Sequence, residues 1–237
     1  MNEKEFLKNY DSNNFPAPLL TVDSVLFTVE NQALKILLLK RENHPQKGQW
    51  SLPGGFINIE KDESTADTAL RKISEKTKVI PPYLEQLETF SSKQRDPRGW
   101  SATVAYFALI DYQTTKAHLK QAEDTQWVSL DDISGITPLA FDHQHIINVA
   151  LERLRQKALY SMLPVFCLPK EFTLGEYHQL MEIILDKTIQ KKSLYRRFEA
   201  SSMFEETGNT VATGARAAML YRIKDGVKLV NFERNLG

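Results

Sequence analysis

Several ingredients that define other classes of protein are scarce in this chain. Cys167 is the only cysteine among 237 residues, so no disulfide can form within the chain and no cysteine cluster can bind zinc. No apolar run reaches the roughly 18 residues that a membrane helix needs. The polar start, residues 1–14, also lacks the apolar core of a signal peptide. We therefore expect a cytoplasmic protein.

A surplus of charge of either sign is also missing. The chain has 30 Lys and Arg against 30 Asp and Glu, which argues against a uniformly basic surface that coats nucleic acid. A slight basic excess lies after Leu159, and it permits a DNA-binding second half without showing one. The length suits two domains, and no internal repeat or low-complexity tract is present.

The first 160 residues predict an α+β domain. Runs rich in Val, Leu and Ile, bounded by turn residues, are typical of strands. The predicted strands cover residues 21–29, 34–41, 85–90, 101–111 and 124–130. Apolar residues at helical spacing predict helices from Ser64 to Lys76 and from Phe141 to about Tyr160. Because Pro164 and Pro169 disfavour further helix, we place a domain boundary here, with domains at 1–160 and 161–237.

The second domain is predicted to be a winged helix. Thr173 and Glu176 have the spacing of a helix-starting capping box, and Leu194 and Phe198 share the inward face of a second helix. After Gly208 we expect a loop that contains Gly214, and Gly226 is expected to turn one strand back onto another. The expected order is helix, turn, helix, strand and strand, over residues 174–185, 186–190, 191–202, 217–224 and 227–232. This order is typical of a winged helix-turn-helix.

A group of residues before and within the first helix resembles the Nudix signature, G-x5-E-x7-R-E-U-x-E-E-x-G-U. Gly55, Glu63, Arg71 and Glu75 follow this pattern, although the stretch between Gly55 and Glu63 is two residues longer. The preceding residues, Trp50-Ser51-Leu52-Pro53-Gly54, match a segment that Nudix proteins often carry. The resemblance covers roughly residues 20–150 and implies the Nudix α/β/α sandwich.

The departures from this signature bear on catalysis. Lys72 and Lys76 stand at two of three positions, with Glu75, where active Nudix enzymes have carboxylates. Divalent cations need oxygen ligands, and a protonated lysine offers no lone pair. We expect no metal, no required cofactor and no catalytic residues, with residual catalysis through Glu60, Glu63 and Glu75 as the alternative. The two lysines either neutralise a bound pyrophosphate or point into solvent.

Candidate ligand-binding residues surround this degenerate box. They combine cations, which suit phosphate, with glycines and with rings that can stack on adenine. The set is Arg41, Trp50, Gly54, Gly55, Lys72, Lys76, Phe90, Arg95 and Arg98. Core packing is the alternative role for the two aromatic residues, and solvation is the alternative for the arginines. His143 and His145 are too closely spaced to share a metal face on a helix, and we expect them to cap or to pack.

Basic residues on the second helix of the winged helix predict a DNA-binding face. The candidates are Lys191, Lys192, Ser193, Tyr195, Arg196 and Arg197, with Arg216 on the wing. A helix that is buried along one edge and basic along the other can enter a major groove, and a wing arginine can reach phosphates. The alternative is a solvated basic helix.

Together the two halves resemble one family, the Nudix-related transcriptional regulators of NAD metabolism. The resemblance includes the segments 95–99, 141–143, 168–174 and 191–198. It implies a bacterial repressor of NAD salvage or biosynthesis genes that acts as a homodimer on palindromic double-stranded DNA. It also implies ADP-ribose as the effector that releases the DNA.

Two other functions remain open at this point. One is an active Nudix pyrophosphatase with an accessory C-terminal domain, which would release AMP from ADP-ribose in the presence of metal. The other is an adaptor whose C-terminal domain binds a protein. Binding by such an adaptor would be insensitive to salt, whereas binding to DNA phosphates weakens steeply as salt rises.

Overall fold

A mixed seven-stranded sheet forms the first part of the chain in a computed structural model that describes residues 2–119, 124–136, 138–213 and 216–232. Its strands are β1 (Leu19–Glu30), β2 (Ala33–Lys40), β3 (Trp50–Ser51), β4 (Gly54–Phe56), β5 (Tyr83–Ser92), β6 (Ser101–Leu109) and β7 (Thr125–Ser129). The sheet order is β3-β2-β1-β6-β5, with β4 paired to β1 and β7 to β2. Only β1 and β6 run parallel among these described pairs.

Helices cover both faces of this sheet. The first four are α1 (Glu3–Asn9), α2 (Thr65–Thr77), α3 (Tyr112–Leu119) and α4 (His143–Ala158). Ile73 of α2 packs with Leu26 on one face, whereas Ile146 of α4 packs with Phe27 on the other, as expected for adjacent strand residues that point in opposite directions. This arrangement confirms the predicted α/β/α sandwich. None of the helices in the described ranges is both long and apolar enough to cross a membrane.

The predicted winged helix is also confirmed. Its helices are α5 (Leu174–Leu185) and α6 (Lys191–Ser201), and its sheet consists of β8 (Phe172–Thr173), β9 (Phe204–Thr213) and β10 (Arg216–Ile223), in the order β8-β10-β9. Leu194 and Phe198 are buried, as expected. The ring of Phe198 stacks on Phe204 with centroids 4.1 Å apart, so α6 is anchored on the sheet by aromatic packing.

The predicted hairpin of residues 217–224 and 227–232 was wrong. β10 pairs instead with β9, and residues 227–232 form one isolated bridge, between Asn231 and Ser161, in the described part of the chain. The error came from Gly208, which the sequence suggested as the start of a loop. Gly208 has a φ of +79° and lies at a register shift between Met219 and Tyr221, and a glycine inside a strand often marks such a bulge. Gly214 lies outside the described residues.

The connection between the two parts of the chain is buried. α4 ends at Ala158, and residues 163–167 form a 3-10 helix in which Pro164 occupies the first turn. Cys167 and Leu163 of this segment belong to the same hydrophobic cluster as residues of both parts. The two parts therefore share one core, and the boundary at residue 160 stays a prediction.

The capping box of α5 gives a local test of the fold. The Thr173 hydroxyl accepts a hydrogen bond from the Glu176 amide at 3.1 Å, and the Glu176 carboxylate accepts one from the Thr173 amide at 2.7 Å. Thr173→Ala should lower the free energy of unfolding by about 1 kcal/mol, measured by urea denaturation. Thr188→Ala, at an exposed turn position, is the control and should change it by less than about 0.5 kcal/mol. Equal losses would contradict the role of the cap.

Candidate ligand cavity and nucleic-acid interface

A cavity of about 300 Å³ opens at the end of the sheet formed by β1, β2 and β4. Six of the nine predicted ligand-binding residues line it: Arg41, Gly54, Gly55, Lys76, Arg95 and Arg98. These residues come from four separate segments of the chain. The fold therefore brings four of the predicted cations to a single concave site.

The aromatic walls of the cavity differ from those expected. Trp50 is half-buried against the main core, and Phe90 is 8% exposed with its ring edge-on to His145, so both serve in packing, the alternative role considered for them. The rings that line the cavity are Phe56 and Phe141. Each carries a guanidinium at cation–π distance: Arg41 lies 4.6 Å from the centroid of the Phe141 ring, and Arg98 lies 5.2 Å from that of Phe56.

Arg95 is held at the cavity wall by two carboxylates. It donates to both oxygens of Asp142, at 3.0 Å from Nε and 2.8 Å from Nη2, and its Nη2 lies 3.7 Å from Asp23. The Arg95 side chain is only 5% exposed, so it is not the solvated arginine considered as an alternative. Arg98 pairs with Asp96 at 2.7 Å and remains more open to solvent.

Asp23 and His143 complete the floor of the cavity. The His143 Nδ1 accepts a hydrogen bond from the Leu52 amide at 2.9 Å, and its Nε2 lies 3.7 Å from Asp23. Burial lowers the pKa of His143, against the opposing effect of Asp23. The predicted packing role of this histidine is confirmed. Sequence reasoning missed Asp23, although an acidic residue within the apolar run of β1 was an available signal.

A glycine is required at position 54 because β1 passes too close to leave room for a side chain. A Cβ at this position would lie 2.1 Å from the Asp23 Oδ1 and 2.5 Å from the Val22 carbonyl oxygen. The second of these atoms belongs to the backbone and cannot move aside. Gly54 therefore has a steric role in shaping the cavity floor.

Arg71 anchors the box helix α2 to two acids, Asp62 and Glu75. Arg71 donates from Nε to Asp62 at 2.7 Å and from Nη1 to Glu75 at 3.0 Å, whereas Glu63 is exposed. Hydrogen bonds from Arg71 hold the pKa of Asp62 well below its usual range. Asp62 also accepts a hydrogen bond from the Asn58 amide at 2.9 Å, so its carboxylate is held against α2.

Lys72 and Lys76 are both paired with acids. The Lys72 Nζ lies 3.1 Å from Glu75, and its Cε lies 3.2 Å from where a Cβ of Gly55 would be. The Lys76 Nζ lies 3.4 Å from Asp124 and 3.6 Å from Glu42. Across the residues that the structure describes, no group of three His, Cys, Asp or Glu side chains is arranged to hold a metal ion.

Helix α6 presents a basic face to solvent. Lys191, Lys192, Ser193 and Arg196 are exposed. None of the cations among them, Lys191, Lys192 and Arg196, forms an ion pair with any described acidic residue. Tyr195 and Arg197 are half-buried, and the Arg197 guanidinium lies 5.0 Å from the centroid of the Phe232 ring. The side chain of Arg216 lies outside the described residues.

Helix α4 connects the cavity to the winged helix. Its first residue, His143, lines the cavity, and Asp142, which precedes it, binds Arg95. Near its other end Arg155 donates to the carbonyl of Ile184 at 3.0 Å and lies 3.6 Å from Asp186. Both residues lie at the end of α5, so one rigid element contacts both sites.

Comparisons with known proteins agree with this two-part architecture. The NUDIX domain family matches residues 19–149, and the NrtR DNA-binding winged helix domain family matches residues 164–223. An ADPR responsive transcriptional repressor, NtrR, from Acinetobacter baylyi is 42% identical over 99% of this chain and 93% of that protein. These matches confirm the resemblance that the sequence motifs indicated.

Two solved structures extend the comparison. Shewanella oneidensis NrtR complexed with a 27mer DNA is 48% identical, with a TM-score of 0.86, over 92% of this chain and 99% of that chain. The NUDIX domain of the same protein complexed with ADP ribose is 52% identical, with a TM-score of 0.60, over 65% of this chain and 99% of that chain. The protein described here belongs to the NrtR family, in which a NUDIX domain precedes a DNA-binding winged helix.

Proposed function

We propose that this protein is a transcriptional repressor that binds DNA through α6 and the wing and releases it when ADP-ribose occupies the cavity. The observation that carries the proposal is a cavity lined by five cations and two phenylalanine rings, joined by α4 to a winged helix whose basic face is exposed. The functions in the names of the A. baylyi and S. oneidensis relatives support the same conclusion.

The cavity suits a nucleoside diphosphate sugar. Arg41, Lys76 and Arg98 line it, and guanidinium groups bind phosphate oxygens in pairs. The ring of Phe56 or Phe141 offers a face for adenine. A volume of about 300 Å³ is at the lower end of the range for small-molecule sites, which fits a ligand that remains partly open to solvent.

The same cavity is proposed to bind its ligand without hydrolysing it. Two positions that hold carboxylates in active Nudix enzymes carry Lys72 and Lys76, and Glu75 is engaged by Arg71 and Lys72. Ammonium groups repel a divalent cation and provide no lone pair. The protein would therefore act as a sensor that leaves its effector intact.

Restoring the two carboxylates should create metal affinity. We expect Lys72→Glu with Lys76→Glu to bind Mg²⁺, measured by isothermal titration calorimetry, because three carboxylates would then share one face of α2. Lys78→Glu, at the exposed end of the helix, is the control and should gain none. If the double variant binds no Mg²⁺, the placement of the Nudix box is wrong.

The two sites are coupled through α4 in this proposal. Phosphate oxygens that engage Arg95 would compete with Asp142, which precedes α4 and lies 2.8 Å from Arg95. Movement of α4 would then reach α5 through Arg155 and the Ile184 carbonyl. Release of DNA requires that ADP-ribose bind the two arrangements unequally.

The remaining parts of the proposal concern the cellular setting. The protein acts in the cytoplasm, on the nucleoid when bound to DNA, and represses genes of NAD salvage or biosynthesis. It binds a palindromic operator as a homodimer, since two-fold symmetric proteins match two-fold symmetric sites. It consists of a ligand-sensing domain over residues 1–160 and a DNA-binding domain over residues 161–237.

One titration tests the proposal. Fluorescence anisotropy would follow binding to a palindromic duplex from the promoter region of the gene itself, with and without ADP-ribose in Mg²⁺ buffer, and the nucleotide would be analysed for AMP afterwards. We expect tight, salt-dependent binding that intact ADP-ribose relieves. Failure to bind DNA together with accumulation of AMP would show instead that the protein is a pyrophosphatase.

A further inference from the structure

A second cavity, of about 350 Å³, lies where the two parts of the chain meet. Ile110 lines it from the first part, Phe166 from the connecting segment, and Phe172 and Ile223 from the winged helix. None of the described residues lines both this junction cavity and the cavity that contains Arg41. Its volume is in the range of small-molecule sites, so the junction cavity is a separate candidate site.

The wall of the junction cavity is chiefly apolar. Ten of its fourteen described lining residues have apolar side chains, so the body of any occupant must be apolar as well. Ile80 belongs to this wall and is 66% exposed. A molecule that covered Ile80 would remove apolar surface from water, which favours binding.

The three charged residues of the wall differ in how their charges are compensated. Arg222 donates from Nε to Glu205 at 2.7 Å, and its Nη2 lies 2.6 Å from the same carboxylate. Lys170 is exposed, so water solvates its ammonium group. Asp111 is half-buried and accepts a hydrogen bond from the Gln113 amide at 3.2 Å, but no described cation pairs with it, and burial raises its pKa. The charge that lacks a counter-ion inside the junction cavity is therefore negative.

We propose that the junction cavity binds a compact apolar molecule that carries one protonated amine, with the ammonium group at Asp111 and the apolar body against Ile110 and Phe172. An ionised carboxylate can only accept hydrogen bonds, and a charged donor forms a stronger bond with it than a neutral donor does. The cation also offsets the cost that burial imposes on the carboxylate. An anionic molecule would instead be repelled by Asp111.

A molecule in the junction cavity would touch both parts of the chain. Ile110 follows β6 of the first part, whereas Ile223 is the last residue of β10 in the winged helix. The affinity for such a molecule depends on how the two parts are arranged, and its binding favours the arrangement that it fits. The junction cavity would therefore act as a second effector site. This role rests on the proposed function, whereas the binding itself does not.

Three probes of one shape test the binding. Benzylamine, benzyl alcohol and benzoate would be titrated into the full chain at neutral pH while the isoleucine methyl signals are followed by NMR. We expect benzylamine to shift the signals of Ile110 and Ile223 and to bind at least about 10-fold more tightly than benzoate, with benzyl alcohol between them. Equal affinities for benzylamine and benzoate, or shifts confined to residues outside the cavity, would overturn the inference.

An amide in place of the carboxylate tests the role of Asp111. Asp111→Asn keeps an oxygen that can accept from the Gln113 amide, so the start of α3 is retained. It should weaken benzylamine about 10-fold and change benzyl alcohol by less than about 2-fold, because only the amine loses a charged partner. Asp131→Asn, at an exposed position outside the cavity, is the control and should alter neither affinity. If Asp111→Asn weakens both probes equally, or neither, Asp111 does not bind the amine.

Operator release tests the effector role. Saturating benzylamine should raise the ADP-ribose concentration for half-release at least about 3-fold, because it holds the two parts in one arrangement. The Asp111→Asn chain should show no such increase, which separates binding in the cavity from a salt effect of the cation. An unchanged concentration in the wild type would overturn the effector role. Operator and ADP-ribose binding are also measured without benzylamine, so that failure of the proposed function is distinguished from failure of the probe to bind.

Discussion

Replacing Lys192 and Arg196 together by alanine should weaken operator binding by about 100-fold or more. Both side chains are exposed on α6, opposite Leu194 and Phe198, which are buried against the winged-helix core. A contact to a base edge contributes roughly 1–3 kcal/mol. Each lost phosphate contact also lowers the slope of log affinity against log salt by about 0.9. Anisotropy titrations at several salt concentrations measure both effects.

Charge removal elsewhere provides the control for this prediction. Lys170→Ala removes one positive charge, half of what the double variant removes, from an exposed position outside α6 and should change operator affinity by less than about 2-fold. Arg197→Ala should have an intermediate effect, because its guanidinium lies against Phe232. If Lys170→Ala weakens binding as much as the double variant does, the effect is one of net charge and α6 is not the recognition helix.

Local signals explain which parts of the fold could be predicted. The capping box at Thr173, the apolar periodicity of α2 and the spacing of Leu194 and Phe198 all operate within one or two helical turns, and each was confirmed. The wing was misplaced because Gly208 is a bulge residue, and whether a glycine bends a strand or ends it depends on the partner strand. The partner strand, β10, lies outside the short stretch of sequence around Gly208, so the local pattern could not indicate the bulge.

The candidate site shows the same limit. Four of the five cations of the cavity were predicted because each belongs to a recognisable segment, such as the turn that contains Arg95 and Arg98. Lys40, the fifth, was missed. Asp23 and Phe141 were missed because they reach the cavity only through tertiary structure, Asp23 from the middle of β1 and Phe141 from the residue pair that precedes α4. Phe141 has a φ of +55°, a backbone conformation that nothing in its sequence context indicates.

Arg95→Ala should abolish the release of DNA by ADP-ribose and should also destabilise the protein. The Arg95 side chain is 5% exposed, and its guanidinium lies against both Asp142 and Asp23. Removing one partner of a buried ion pair leaves the other without compensation, at a cost of about 3–5 kcal/mol. ADP-ribose affinity should fall roughly 10- to 100-fold, the range for loss of a hydrogen bond to a charged group. Urea denaturation and calorimetry measure the two effects.

A compensated variant separates coupling from stability. Arg95→Met with Asp142→Leu removes both charges and should recover most of the lost free energy of unfolding, because apolar replacement of a buried pair is often neutral. Its operator binding should nevertheless stay insensitive to ADP-ribose, since the contact that joins the cavity to α4 is gone. Arg98→Ala, which removes a more exposed cation paired only with Asp96 among the described acids, should weaken ADP-ribose binding without abolishing the response. A compensated variant that still releases DNA on ADP-ribose binding would show that the signal reaches the winged helix by a route other than the Arg95–Asp142 pair.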